Sequence, residues 1–149
     1  HQGRRKGNMG ILQGLANNLG EQSTDELKKK YGQYLVPDEE IEIGFKLIRD
    51  AMLITDKRII DLDHQGATGK KVRVKSIGLD MIIGVTAETA GFGADDSELE
   101  ITYITSPNKR ANVIETETRK FEFPKKFDLA PLYVRFEKMA QDNVEAINK

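Results

Sequence analysis

The chain has 149 residues, of which 38% are hydrophobic and 32% charged, a balance typical of one polar globular domain and not of a disordered chain. The formal net charge of −1 provides no basic field to attract nucleic acid, so we expect no nucleic-acid partner. The chain has no cysteine, which excludes disulfides, thiolate catalysis and cysteine-based zinc sites and fits a reducing, cytoplasmic compartment.

The N-terminal region divides into two parts. Residues 1–8, HQGRRKGN, are basic and contain no apolar residue, so we interpret them as an added leader or a disordered tail. Residues 9–37 are predicted to be a helical segment. Within it, aliphatic residues recur at three- and four-residue steps, which predicts a short amphipathic helix over 10–19 whose apolar stripe comprises Ile11, Leu12, Leu15 and Leu19.

A second helix is predicted to begin after Ser23. Ser23 and Glu26 have the spacing of a capping box, in which each side chain accepts from the other residue's backbone N–H. Leu27 and Tyr31 then lie one turn apart, on one face of the helix. Pro37 ends this helical region.

The pattern changes to strands from Glu39 onward, and we predict one domain over 38–149. Apolar and polar residues alternate in several runs, which is typical of half-buried strands. About seven short strands at roughly ten-residue spacing predict an antiparallel sandwich or small barrel. The runs are EIEIGFKLI, RDAMLIT, RIIDLD, KKVRVKSIG, MIIGVTAET, SELEITYIT and RANVIETETRKFEF.

A last helix is predicted to begin after Asp128, its capping residue, with Pro131 in the first turn. Phe127 and Leu132 have the spacing of a hydrophobic staple. Arg135 is predicted to lie mostly off the apolar stripe, together with Lys138 and Asp142. The stripe comprises Leu129, Leu132, Tyr133, Phe136, Met139 and Ala140.

The run DLDHQGATGKKV resembles a metal loop and a phosphate loop, but neither interpretation holds. Asp61, Asp63 and Gly66 match three positions of the calcium loop, whereas Val72 stands where a bidentate Glu is needed. His64 stands where a phosphate loop requires its first Gly, and no helix follows. We therefore interpret Gln65-Gly66 and Thr68-Gly69 as turns between strands and predict no metal site and no cofactor.

No catalytic residue is predicted. His64 is isolated in a turn, and without cysteine a nucleophile paired with a base is hard to assemble. The many carboxylates stand singly at outward strand positions, so we interpret them as a solvated face. The sequence therefore predicts no enzyme.

Two basic pairs are the remaining candidates for binding. Lys57-Arg58 and Lys70-Lys71 are predicted to lie at opposite ends of one hairpin strand, where each could bind an anion or a partner's carboxylate. The alternative, which we favour, is that they keep turns soluble and prevent sheet edges from sticking together.

A resemblance to a known family rests on several of these motifs. The segments MGILQGL, YGQYLVPDEEIEIGFKLIRDAMLITDKRIIDLDHQGATGKKV and SIGLDMIIGVTAETAG resemble an uncharacterised bacterial family with a pleckstrin-homology-like domain, over residues 9–130. The resemblance implies two antiparallel sheets with seven strands in all, closed by a C-terminal helix. It also implies self-assembly into closed homo-oligomeric rings, of which a pentamer is the expected size, that dock an unknown protein partner.

The alternative function is binding of an anionic lipid or inositol-phosphate head group. Lys46 and Arg49 flank the loop between the first two long strands, where such sites lie in the eukaryotic fold. The acidic neighbours Glu39, Glu40, Glu42 and Asp50 leave little positive potential there, so we do not expect a membrane partner. Self-assembly is also expected from the residues themselves, because the stripe over 10–19 must be buried on its own domain or a neighbour's.

Overall fold

A computed structural model describes residues 21–68, 70–91 and 96–149, which form two compact units that divide between Asp80 and Met81. The predicted helix over 10–19 and the interpretation of residues 1–8 lie outside the described residues.

The first unit is a five-stranded antiparallel sheet with one helix. Its strands follow the order β1-β2-β3-β4-β5, so each strand pairs with its neighbours in sequence. The elements are β1 (Glu21–Gln22), α1 (Thr24–Tyr31), a 3-10 turn (Gly32–Tyr34), β2 (Ile41–Lys46), β3 (Ala51–Thr55), β4 (Arg58–Gln65) and β5 (Lys71–Gly78).

Helix α1 begins at the predicted capping residue and packs on the predicted face. Ser23 Oγ accepts a hydrogen bond from the N–H of Glu26 at 3.2 Å, which caps the first turn. Leu27 and Tyr31 are buried and belong to one apolar cluster with residues of β3 and β4. The predicted capping residue and buried face are therefore both confirmed. The strand residues in the cluster are Ala51, Leu53, Ile60 and Leu62.

Strands β3 and β4 are buried on both faces. Leu53 pairs with Ile60 in the cluster that contains α1, while Ile54 pairs with Ile59 on the opposite face. All four side chains are fully buried. Burial on both faces explains why these two runs are almost continuously apolar and do not alternate.

The second unit is a three-stranded antiparallel sheet followed by a long helix. Its strands follow the order β6-β7-β8. Helix α2 packs along β6 and buries Leu132, Phe136 and Ala140. The elements are β6 (Ile82–Glu88), β7 (Ser97–Ile104), β8 (Thr116–Phe123) and α2 (Ala130–Ile147), and a 3-10 turn (Leu79–Met81) precedes β6.

The prediction of a mainly β fold with seven antiparallel strands and a C-terminal helix is confirmed, with the two-residue β1 in addition. One strand boundary was wrong. β8 was expected from Arg110, but it begins at Thr116, which pairs with Ile104 at the end of β7. The N–H of Thr105 donates to the carbonyl of Glu115 at 2.9 Å, which closes a long connection instead of extending the strands.

Two details of α2 differ from the prediction. Asp128 Oδ1 accepts a hydrogen bond from the N–H of Ala130 at 3.1 Å, but Leu129 occupies the capping position, one residue later than expected. Arg135 was expected off the apolar stripe, whereas it is buried. Its aliphatic stem lets it lie beside Leu132 and Phe136 on the helix face that packs inward.

Candidate functional site

Four basic residues of the predicted site lie at one end of the five-stranded sheet. Lys46 and Arg49 flank the β2–β3 turn, because Lys46 pairs with Ala51. Lys71 pairs with Gln65 and begins β5 beside the β4–β5 turn, which contains Lys70. Since alternate turns of an antiparallel meander lie at the same end of the sheet, these two turns share one end.

Lys57 and Arg58 lie at the opposite end of β4. The tight β3–β4 turn consists of Asp56 and Lys57, and Arg58 pairs with Gly78 at the far end of β5. Arg58 and Gln65 are the first and last of the eight residues of β4, so they lie about 23 Å apart along the extended strand. The expected placement of the two basic pairs at opposite ends of one strand is therefore what the register shows.

Basic residues along β5 lie opposite acidic residues of β4. Arg73 pairs directly with Asp63, and Lys75 pairs with Asp61. Directly opposed side chains in an antiparallel pair have Cβ atoms about 5 Å apart, so the opposite charges offset one another. The basic residues without a directly opposed acidic residue are consequently those of the β2–β3 and β4–β5 turns, not those along the strand.

The β2–β3 turn is fixed to β4 by a side chain. Asp50 Oδ1 accepts a hydrogen bond from the N–H of His64 at 3.1 Å, and the carbonyl of Asp50 accepts one from Leu47 at 2.8 Å. His64 Nδ1 is buried without a hydrogen-bond partner among the described residues. The β2–β3 turn is therefore held by the sheet, but Asp50 reduces the positive potential beside Arg49.

At the other end of the sheet, Arg58 is engaged by a buried carboxylate. Its Nε and Nη2 donate to Oε2 and Oε1 of Glu39, each at 2.8 Å. Thr55 Oγ1 donates to Glu39 Oε2 at 2.7 Å, and the N–H of Val36 donates to Oε1 at 3.1 Å. Nη2 of Arg58 also donates to the carbonyl of Tyr34 at 2.7 Å. This network joins the chain after α1 to the β3–β4 turn.

The Glu39 carboxylate is stabilised in its charged form. Hydrogen bonds from Arg58 lower its pKa most, and those from Thr55 and Val36 lower it further, whereas burial raises it. The net effect lowers the pKa of Glu39 from 4.5 to about 2. Glu39 correspondingly raises the pKa of Arg58, so the pair is ionised at neutral pH.

Sequence reasoning missed this network. Glu39 and Asp61 were expected on a solvated face, whereas both are buried, and that interpretation was wrong for them. A signal was present in the sequence. A carboxylate two residues before one strand and a TxxR sequence at the end of the next strand lie at the same end of a hairpin. The distance of 19 residues between Glu39 and Arg58 hides it from any local pattern.

The four sheet edges differ in how they are protected. β1 is only two residues long, and β6 carries an irregularity near Ile83 and is covered by Asn143, whose Nδ2 donates to the carbonyl of Ile82 at 2.7 Å. β5 and β8 are eight residues each, pair without interruption, and have a partner on one side only among the described residues. Long, regular and unpaired edges are the usual places where strands of another chain add.

Neither a metal-binding cluster nor a membrane-spanning helix is found in the described part of the chain. No three histidine or acidic side chains come close enough there to hold a metal ion. None of its helices combines the length and the apolar character needed to cross a bilayer.

Comparison with known proteins gives one family and one curated relative. Residues 10–140 match the family model described as the bacterial PH domain. The chain is 42% identical over 93 residues to the uncharacterised protein YjqA of Bacillus subtilis (strain 168), which covers 62% of this chain and 74% of YjqA.

Solved structures show the same fold. A pleckstrin homology domain from Shewanella amazonensis SB2B is 29% identical, with a TM-score of 0.62 over 87% of this chain and 98% of that one. A DUF1696 family protein with a pleckstrin-homology domain, from Shewanella loihica PV-4, is 28% identical, with a TM-score of 0.58 over 81% and 96%. A PH-domain protein from Exiguobacterium sibiricum 255-15, at 20% identity and TM-score 0.63 over 84% and 63%, supports the fold alone.

Proposed function

Because the chain belongs to the bacterial PH domain family, we propose that it is a non-catalytic binding module that assembles into a closed homo-oligomer and presents docking surfaces to a protein partner. The PH-like fold carries many functions, so the proposal rests on the features of this chain and not on the fold alone.

The observation that carries the proposal is the contrast between the sheet edges. β1 is short and β6 is covered, as expected for edges that must stay unpaired. β5 and β8 have neither proline nor an irregularity in their pairing. When the edge strands of two copies pair, the unpaired backbone groups of both strands form hydrogen bonds. If each copy contacts the next in the same head-to-tail way, the rotation from one subunit to the next can close the assembly into a ring.

Charge on these edges favours specific pairing over indiscriminate aggregation. β5 carries Lys71, Arg73 and Lys75, while β8 carries Glu117 and Glu122 together with Arg119 and Lys120. Charged side chains on an edge disfavour pairing with most strands and permit it only where the charges complement one another. A defined neighbour is therefore supported over open-ended association.

Sedimentation velocity tests assembly. We expect one species heavier than the 16.8 kDa chain, at micromolar concentration and physiological salt. Thr118→Pro in the middle of the exposed β8 is expected to weaken assembly, because proline interferes with strand pairing at an edge. Thr24→Pro at the first residue of α1 is the control, since proline is tolerated there. A single species of 16.8 kDa for the unmodified chain contradicts the proposal.

Docking of a protein partner requires a separate test. Unmodified oligomer and the Thr118→Pro variant, each immobilised, are exposed to extract of the native cell. If the protein is a scaffold, the unmodified oligomer is expected to retain much more of a partner protein than the dissociated variant does. The reason is that an assembly presents several copies of each binding site. Equal retention by both forms argues against a role for assembly in docking.

A second function is favoured by one observation, the shared end of the β2–β3 and β4–β5 turns. Lys46, Arg49, Lys70 and Lys71 could together bind the phosphate of an anionic lipid head group. If they do, sedimentation with anionic vesicles at low salt is expected, and Lys46→Glu with Arg49→Glu is expected to abolish it. Lys57→Glu, at the opposite end of the sheet, is the matched control. Sedimentation equal to that with neutral vesicles excludes this function.

A further inference from the structure

A groove lies along helix α2 on the side of β6. Near the start of α2 a depression of about 560 Å³ is walled by Val85 and Ala87 of β6 and by Val134 of α2. Near its end, a depression of about 420 Å³ is walled by Ile83 and Val144. Because β6 and α2 run in opposite directions, the two depressions follow one another along the same pair of elements.

The groove is apolar and exposed. Val134 has 58% and Val144 40% of its surface exposed, although both lie on a helix whose opposite face is fully buried. The hydrogen bond from Asn143 to the carbonyl of Ile82 ties α2 to β6, so the walls of the groove are held in place. No described residue covers these valines, and aliphatic surface of this kind is stabilised when another apolar surface covers it.

The geometry points to residues 9–19 of a neighbouring copy as the occupant of this groove. The inference rests on the proposed assembly and adds to it a defined contact. The segment has four aliphatic residues on one face, Ile11, Leu12, Leu15 and Leu19, and it is too short to be a stable helix alone.

The dimensions of segment and groove agree. From Ile11 to Leu19 a helix rises about 12 Å. The β6 wall from Ile83 to Ala87 extends about 13 Å. The segment 9–20 has no charged residue, so it meets no like charge on the rim formed by Glu137 and Glu145. An aliphatic helix therefore fits the groove in length, polarity and charge.

We assign the segment to a neighbour because edge pairing alone buries little apolar surface between copies. The first five residues of β8, TETRK, are all polar. An exchanged terminal segment is a low-cost way to add a second, apolar contact between copies. Gly20 joins the segment directly to β1, the first strand of the five-stranded sheet.

Disulfide cross-linking tests the inference, because the chain has no cysteine of its own. Leu15→Cys is combined with Val134→Cys, and the matched control combines Leu15→Cys with Val113→Cys, at a valine of the β7–β8 connection that is 76% exposed. On mild oxidation the first pair is expected to link separate chains into dimers and larger ladders, and the control pair to link far less. A mixture of the two single variants, Leu15→Cys and Val134→Cys, unfolded and refolded together, is expected to give the linked dimer.

A labelling experiment supports the result independently of disulfide geometry. In the Val134→Cys variant, alkylation of the thiol is expected to be at least about tenfold slower than in the same variant with Leu12→Asp and Leu15→Asp added. Equal rates, no cross-link, or linkage equal to the control each overturn the inference. A disulfide formed only within single chains overturns the assignment to a neighbour.

The mass of each reduced variant separates this inference from the proposed assembly. If the protein is an oligomer but shows neither the cross-link nor the slower alkylation, docking of residues 9–19 in the groove is contradicted and assembly remains supported. A monomer under the same conditions contradicts the assembly and, with it, the inference.

Discussion

Glu39 and Arg58 form a two-pronged ion pair, with both guanidinium–carboxylate distances at 2.8 Å. The Glu39 side chain is 1% exposed and that of Arg58 18% exposed, so water screens the pair little. Arg58 Nη1 also reaches Ser76 Oγ of β5 at 2.6 Å. The pair therefore links three parts of the first unit, namely the chain after α1, the β3–β4 turn and β5.

Glu39→Gln is expected to lower the free energy of unfolding by about 3 kcal/mol. The substitution leaves the guanidinium of Arg58 without its counter-charge in a largely buried position, which is costly. Urea melts at pH 7 measure the change. Glu122→Gln, an exposed position on β8, is the control and is expected to change stability by less than about 0.5 kcal/mol. If both variants lower the free energy of unfolding by a similarly small amount, a structural role for the Glu39–Arg58 ion pair is contradicted.

The stability of the unmodified chain is expected to depend on Glu39 at acid pH. Its pKa is lowered from 4.5 to about 2 on folding, so its contribution is present above pH 4.5 and is lost as pH falls toward 2. The difference in unfolding free energy between the unmodified chain and Glu39→Gln is expected to shrink over that range, by about 3 kcal/mol in total. If the unfolding free energies of the two proteins change in parallel between pH 7 and pH 2.5, the lowered pKa of Glu39 is contradicted.

Gly44→Ala is expected to destabilise the first unit by about 1–3 kcal/mol through overpacking. A Cβ at Gly44 collides with Leu27 Cδ1 and lies 2.8 Å from Leu53 Cδ2, and both leucines are fully buried. The control is Gly84→Ala in β6, where the new Cβ lies 3.5 Å from Thr102 Cβ, an ordinary contact. Chemical melts of both variants measure the difference, and equal stabilities show that α1 moves away from β2 at little cost.

Phe136→Ala is expected to destabilise the second unit by about 3–5 kcal/mol, because the ring is fully buried in the face of α2 that packs along β6. Lys138→Ala on the same helix removes only an exposed pair with Asp142 and is expected to cost less than about 0.5 kcal/mol. Urea melts compare the two. A change below about 0.5 kcal/mol for Phe136→Ala contradicts tight packing at this position.

Local patterns predicted most of the fold. Ser23 and Glu26 marked the start of α1, alternation of apolar and polar residues identified most of the long strands, and nearly continuous apolar runs identified β3 and β4. These features depend on neighbours within a few residues, which the sequence displays directly. The start of β8 could not be read in this way, because it depends on the pairing of Thr116 with Ile104 across an 11-residue connection.

The site was less predictable for the same reason. The basic turn residues were found, but the pairing of Arg58 with Glu39 depends on contacts 19 residues apart. The groove along α2 was not predicted either, because Val134 and Val144 lie among polar residues on the outer side of the helix. Their exposure becomes informative only once the position of β6 beside the helix is known.

Light scattering coupled to size exclusion, repeated over a range of concentrations, tests the central claim of a closed assembly most directly. A ring is expected to keep one mass on dilution at micromolar concentration, and the expected pentamer has five times 16.8 kDa, or 84 kDa. A mass of 16.8 kDa, or a mass that rises steadily with concentration as in an open chain of subunits, contradicts the claim.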